Sequence, residues 1–271
     1  MEFIYSLFKY SFLQNALIIG IIIGTVAGLV GSFSILQGTS LIGDAMSHAV
    51  LPGIAIAFLL GIPLYIGAGI FGILAASIIA LITEYSPLKS DTVIGLTFSS
   101  FFALGTIIIS QGHANAKLND ILFGNILSVS KLDVISSLVV SVVIFIIITI
   151  FYRNFYLSTF DKAFAKSQGI NVTFYNQLLI LMLTVVIIIA LQAIGVILVT
   201  ALLIIPPATA RLITNKFANM IKFSMIIGAL ESVCGLFISY SFDWPSGPSI
   251  VLISAILFLI IFIFYRLRKI L

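Results

Sequence analysis

Charge is what this sequence lacks most. Of 271 residues, 13 are Lys or Arg and 9 are Asp or Glu, so 8% are charged, against about 25% in a soluble domain. So little charge cannot coat a water-facing surface. The single cysteine, Cys234, excludes an internal disulfide. Only two histidines occur, His48 and His113, far apart. That excludes the His-Glu-x-x-His helix of a zinc protease, and the ligand count argues against an intramembrane metalloenzyme generally. There is no Gly-x-x-x-x-Gly-Lys-Ser/Thr loop, so the chain is not expected to bind ATP itself. No basic stripe interleaves with aromatics, which argues against a nucleic-acid surface. The N-terminus lacks a basic n-region and a small-residue cleavage site, so the first apolar segment is expected to be retained.

What is present is apolar bulk: 61% hydrophobic residues, with mean hydropathy +1.29. The apolar runs are Phe12–Leu36, Leu41–Leu60, Leu64–Ile82, Val93–Ser110, Val134–Tyr152, Tyr175–Ala190, Ile194–Ile205, Met220–Ser239 and Ile250–Tyr265. Most are long enough to cross a hydrocarbon core of roughly 30 Å at 1.5 Å per residue. They show no alternation of the kind a β-barrel strand needs. The expected fold is all-α: a polytopic helical membrane protein of eight or nine spans, forming one domain over residues 1–271. Two segments are doubtful as full spans. Ile194–Ile205 is short and ends at Pro206-Pro207, and Leu118–Leu127 has the character of a re-entrant piece. Basic residues place the tail from Arg266, the segment from Arg153 to Lys166 and that from Arg211 to Lys222 in the cytoplasm. Loop Ser241 to Pro248, without Lys or Arg, is expected outside. In the first half Lys9, Lys89, Lys117 and Lys131 are too thinly spread to assign the N-terminus a side.

Within Ser40-Leu-Ile-Gly-Asp-Ala-Met-Ser-His-Ala-Val-Leu-Pro-Gly53, Asp44 and His48 stand four residues apart. On a helix that spacing puts both on one face. Ionisable groups at bilayer depth cost at least about 2.5–3.5 kcal/mol and commonly mark function. A carboxylate with an imidazole suits Zn, Mn or Fe(II). The competing reading is an ion pair that pins two helices. A helix starting near Ser40 places His48 about 12 Å in, and Pro52-Gly53 is a place for a kink. Glu231, inside Ile226–Gly235, is open to several readings: a partner of the metal ligands, a gate, a proton site or a packing acid. Cys234 is three residues on from it, and a lone buried cysteine is usually a small hydrophobe. Asp243 reads as a turn cap, and His113 as a span-end polar residue. Gly20, Gly24, Gly28 and Gly31, and Gly67, Gly69 and Gly72, form small-residue stripes that read as helix packing.

Residues Gly31–Gly53 resemble the signature of the zinc/manganese/iron ABC transporter permeases, with the ordered core Gly-Asp-Ala-x-Ser-His-Ala-x-Leu-Pro-Gly. Ser90–Ser100, Ile121–Ile126, Ile204–Ala210 and Pro245–Val251 match as well, so the likeness runs along nearly the whole chain. The resemblance implies the permease subunit of an importer in the bacterial plasma membrane. It implies a second copy of the chain, a pair of cytoplasmic ABC ATPase subunits that bind the ATP, and an extracellular metal-binding lipoprotein. The chain itself is then not an enzyme and holds no permanent cofactor; its cargo is a divalent metal ion. Asp44 and His48 match the family's intramembrane metal positions. Residues 158–170 resemble the segment that docks on the ATPase, with Phe160, Asp161, Ala165 and Gly169 as its marker positions. Many relatives carry arginine where this chain has Gln37, and Glu231 and Cys234 match no family motif. The wording is nearest the manganese branch, with zinc or iron next. The rival reading is an ATP-independent secondary transporter in which Asp44, His48 and Glu231 relay protons.

Overall fold

The computed structural model describes residue 7, residues 9–111, residue 126 and residues 129–270. Twelve helices occur among them: α1 Ser11–Leu36, α2 Ile42–Ala49, α3 Leu51–Leu60, α4 Leu64–Tyr85, α5 Ser90–Gln111, α6 Lys131–Ile150, α7 Tyr152–Phe160, α8 Lys162–Ser167, α9 Val172–Ile194, α10 Val196–Ile213, α11 Phe217–Phe242 and α12 Ser246–Ile270. With α2 and α3 taken as one broken span, nine segments among the described residues are long and apolar enough to cross a membrane. The chain is a multi-pass membrane protein. His113 and nearly all of Leu118–Leu127 lie outside the described residues.

α1 is the central pillar, packed against α6, α9, α10 and α11. Its glycines explain why. Gly24 meets Gly228 of α11 so closely that a Cβ on either would strike the other's carbonyl. Gly28 sits on the Ser224 main chain, and the Ser224 hydroxyl donates to the Gly28 carbonyl at 2.9 Å. Small residues let backbones touch where lipid supplies no hydrophobic drive. Gly67 does the same for Gly53, locking α4 onto α3, whereas Gly69 faces open space. The stripes are therefore packing devices, Gly69 excepted.

The doubtful segment Ile194–Ile205 needs correction, because its helix runs through both prolines to Ile213. Pro206 and Pro207 cannot donate to the carbonyls of Leu202 and Leu203. The Leu203 carbonyl lies directly against Gly31 of α1, where no side chain intervenes. Close helix contact thus covers a main-chain group that the proline leaves unpaired. Lys222 lies in the second turn of α11.

The structure also orients the first half. A cavity of about 360 Å³ is lined by Gln37 from the end of α1, Glu84 of α4, Ser90 of α5, Lys162 and Lys166 of α8, and Asn176 of α9. These ends therefore share one side, and the lysines make it the cytoplasm. The end of α1 at Ser11 then lies on the outer side. At the α10–α11 turn, Thr214 and Asn215 share a second cavity with Arg268 of α12, in line with the cytoplasmic tail.

Candidate metal site

The α1–α2 connection is short and fully ordered by main-chain bonds. Gly38, at φ 72°, ends α1 in the left-handed region that glycine favours. Its N–H donates to the Ile35 carbonyl at 3.1 Å, and the Thr39 N–H to the Ser34 carbonyl at 3.0 Å. The Ser34 hydroxyl donates back to the Thr39 carbonyl at 2.9 Å. The Ile42 N–H then bonds the Thr39 carbonyl at 3.0 Å, and α2 begins. His48 is six residues in, about 9 Å along the helix at 1.5 Å per residue, against about 12 Å for a start at Ser40.

α2 ends at Ala49, with Val50 as its C-cap, three residues before the expected break at Pro52-Gly53. Pro52 has no N–H for the His48 carbonyl, so the helix loosens one turn earlier than the proline itself. α3 is clamped on both sides. Gly67 of α4 presses on Gly53, and Gly105 of α5 lies beside Leu51 and Pro52. These crossings fix α3, and with it the end of α2, from behind.

Asp44 Oδ1 and His48 Nε2 are 3.7 Å apart on one face of α2. That is too long for a hydrogen bond. Two atoms that each lie about 2.0–2.2 Å from one ion can stand up to about 4 Å apart, so the gap admits one. The His48 ring rests against the edges of Phe98 and Phe102 of α5, at 5.3 and 5.4 Å between centroids. Its Nδ1 is buried with no hydrogen-bond partner among the described residues. The two side chains stay 26% (His48) and 51% (Asp44) exposed, so the pair is walled by aromatics on one side and open on the other. No group of three or more His, Cys, Asp or Glu that could hold a metal exists among the described residues. One chain therefore offers two ligands and an open face.

Glu231 lies elsewhere. It is 1% exposed on α11, which packs on α1, α10 and α12, while α2 packs on α4, α5, α9 and α10. Neither carboxylate oxygen has a hydrogen-bond partner among the described residues. The Ser254 hydroxyl faces it but donates to the Ile250 carbonyl at 2.9 Å. Cys234 is exposed, so it does not share the burial of Glu231. Asp243 closes α11 with φ 54°, a backbone state that Asp tolerates better than most residues.

The segment 158–170 is a helix-turn element outside the spans. Phe160 ends α7, half-exposed, with its ring against Tyr156 and Phe217. Asp161 caps α8 by accepting from the Phe164 N–H at 2.8 Å. Ala165 is fully buried, and Gly169, at φ 74°, turns the chain out of α8. Sequence reading missed two features. The Phe98/Phe102 wall had a local signal, aromatics four apart on a helix. The contacts of Gln37 had none: its amide donates to Thr159 Oγ1 and Asn176 Oδ1, both at 3.2 Å, across 122 and 139 residues of chain.

Comparison with known proteins follows the same lines. Residues 9–265 match the ABC 3 transport family. The manganese import system permease protein ScaB of Streptococcus gordonii is 51% identical, over 96% of this chain and 94% of its own. The manganese transport system membrane protein MntC of Listeria monocytogenes is 46% identical, over 97% and 94%. Among solved structures, PsaBC from Streptococcus pneumoniae in complex with Fab superposes with TM-score 0.86 at 50% identity, covering 96% of this chain and 94% of that one.

Proposed function

The chain belongs to the ABC 3 transport family, and on that premise we propose that it is the permease subunit of an ATP-driven importer that carries manganese(II) across the bacterial plasma membrane. The relatives named for manganese, at 46–51% identity over nearly the full length, support that cargo over zinc or iron. The whole chain acts as one permease domain. ATP is bound and hydrolysed by a separate pair of subunits, and an extracellular metal-binding lipoprotein hands over the ion.

The observation that carries the site assignment is the Asp44–His48 pair, with ligand atoms 3.7 Å apart and an open face. Two ligands from one chain do not close a transition-metal site. A second copy related by a twofold axis supplies the same two again, the symmetry that homo-oligomers favour. Loose ligation suits a carrier, because the ion must leave. The Phe98 and Phe102 rings exclude water from one side of His48 and fix its plane. Ligation needs the imidazole neutral and the carboxylate ionised, so protons compete with the metal.

At the cytoplasmic end, Phe160 and Phe164 stand half-exposed beside Lys162 and Lys166. They offer apolar knobs and positive charge to the groove of the ATPase. When the ATPase subunits close on ATP, this segment moves and the helices bearing Asp44 and His48 reorient. A proton-relay transporter is not favoured, because Glu231 is not grouped with the pair among the described residues.

The test is uptake by the chain reconstituted with its ATPase and binding lipoprotein, offered Mn, Zn and Fe(II) in competition. ATP-dependent manganese uptake that is lost in Asp44→Ala and in His48→Ala, with assembly of the complex intact, is the expected result. Uptake indifferent to ATP overturns the importer reading. Wild-type uptake in either variant returns the pair to a structural role.

A further inference from the structure

The geometry points to Gln37 as the residue that couples the ATPase-docking segment to the metal-bearing helix, a role that rests on the importer reading above. Gln37 is half-buried at the cytoplasmic end of α1. Its side-chain amide donates to two separate elements, the Thr159 hydroxyl in the last turn of α7 and the Asn176 side-chain carbonyl in the first turn of α9. Thr159 is two residues from Asp161, the cap of α8. Gln37 therefore holds both flanks of the docking segment, α7 before it and α9 after it.

In the other direction the link is short and stiff. Six residues separate Gln37 from Asp44, and the turn between them is closed by the Ser34–Thr39 and Thr39–Ile42 hydrogen bonds. A displacement of Thr159 or Asn176 thus reaches the start of α2 without a slack loop to absorb it. There is room for such a displacement. The cavity of about 360 Å³ that Gln37 and Asn176 line runs behind α8 to Lys162 and Lys166. Few direct packing partners hold α8 itself: it touches α7 and α9, and Ala165 is its one fully buried side chain. Hydrogen bonds, being directional, transmit such a movement better than the sparse apolar contact around α8.

The test uses the complete complex of permease, ATPase and binding lipoprotein in proteoliposomes, reading manganese transported per ATP hydrolysed. Gln37→Met keeps the length of the side chain and removes both donors. It is expected to assemble normally, keep its melting temperature within a few degrees and still hydrolyse ATP. Manganese carried per ATP should fall roughly thirtyfold, the bias that two net hydrogen bonds supply. Gln37→Arg keeps donors that reach both acceptors and should restore the wild-type ratio. Asn176→Leu should lower the ratio, and by less in the Gln37→Met background, because the two changes remove one shared contact.

A wild-type ratio in Gln37→Met overturns the coupling role. So does a loss in which transport, ATP hydrolysis and melting temperature fall together, which marks a purely structural residue. Failure of Gln37→Arg to rescue overturns it as well. Asp44→Ala run alongside separates the two levels of the argument. If that variant transports like wild type, or wild type ignores ATP, the importer reading fails and the coupling role with it. A failure confined to the Gln37 and Asn176 variants removes the coupling role alone.

Discussion

Glu231 should be a stability defect that can be repaired. Its side chain is 1% exposed near the middle of α11, and neither carboxylate oxygen is hydrogen-bonded among the described residues. The Ser254 hydroxyl, which faces it, donates to the Ile250 carbonyl at 2.9 Å. A buried polar group left unpaired costs about 1–3 kcal/mol, and more if it is charged. Glu231→Met keeps the shape with a flexible apolar chain. At roughly 2–4 °C per kcal/mol for a chain somewhat smaller than this, the variant should melt about 2–10 °C higher in detergent. Thermal unfolding of the solubilised protein measures this directly, with Ser254→Ala made in both backgrounds. A lower melting temperature in Glu231→Met refutes the reasoning. So does a cycle in which Ser254→Ala costs more when Glu231 is present, because then the hydroxyl serves the carboxyl after all. Uptake measured on the same variant adds the functional half. A stabilised protein that no longer transports would mean the cost is retained for function, as intramembrane acids commonly are.

Four further outcomes are expected. Gly53→Val should sharply reduce the folded protein recovered from membranes, since a side chain there strikes the Gly67 carbonyl and overpacking costs about 1–3 kcal/mol or more. Gly69→Ala, which meets open space, should be neutral or stabilise by about 0.5–1 kcal/mol through helix propensity; equal recovery of the two variants would contradict the packing argument. Manganese binding to the solubilised complex, followed by a radioactive tracer, should weaken as pH falls, because protons compete for Asp44 and His48; binding that strengthens in acid would exclude them as ligands. Phe98→Ala should weaken manganese binding several-fold while leaving ATP hydrolysis intact, by freeing the His48 ring to turn; unchanged affinity would reduce the aromatic wall to packing.

How much of this was legible in the sequence depends on how local each feature is. Asp44 and His48 are one helical turn apart, so periodicity alone places them on one face, and the structure keeps them there. The spans are legible because hydrophobic length is a one-dimensional property. The error at Ile194–Ile205 arose where a local rule met a tertiary exception. Two prolines ordinarily end a helix, yet α10 continues to Ile213, with its Leu203 carbonyl packed against Gly31, far away in the chain. Glycine stripes announced close packing without naming the partners. Gly24 with Gly228 and Gly53 with Gly67 emerge only when the helices are placed.

Gln37 marks the limit of that legibility and the reason for it. In the sequence it is a polar residue at a helix end, where polar residues are unremarkable. In the fold it donates across 122 and 139 residues of chain to α7 and α9, the two flanks of the segment proposed to dock on the ATPase. A permease driven by a separate ATPase must join two distant places: the surface that is pushed and the helix that lets go of the ion. Asp44 and His48 can lie one turn apart because, on the proposed reading, they meet a single ion. The coupling residue cannot, because its partners belong to elements that the chain reaches only after crossing the membrane several times. Chemistry here is written at short sequence range and mechanical transmission at long range, so a single sequence discloses the first and needs the fold for the second.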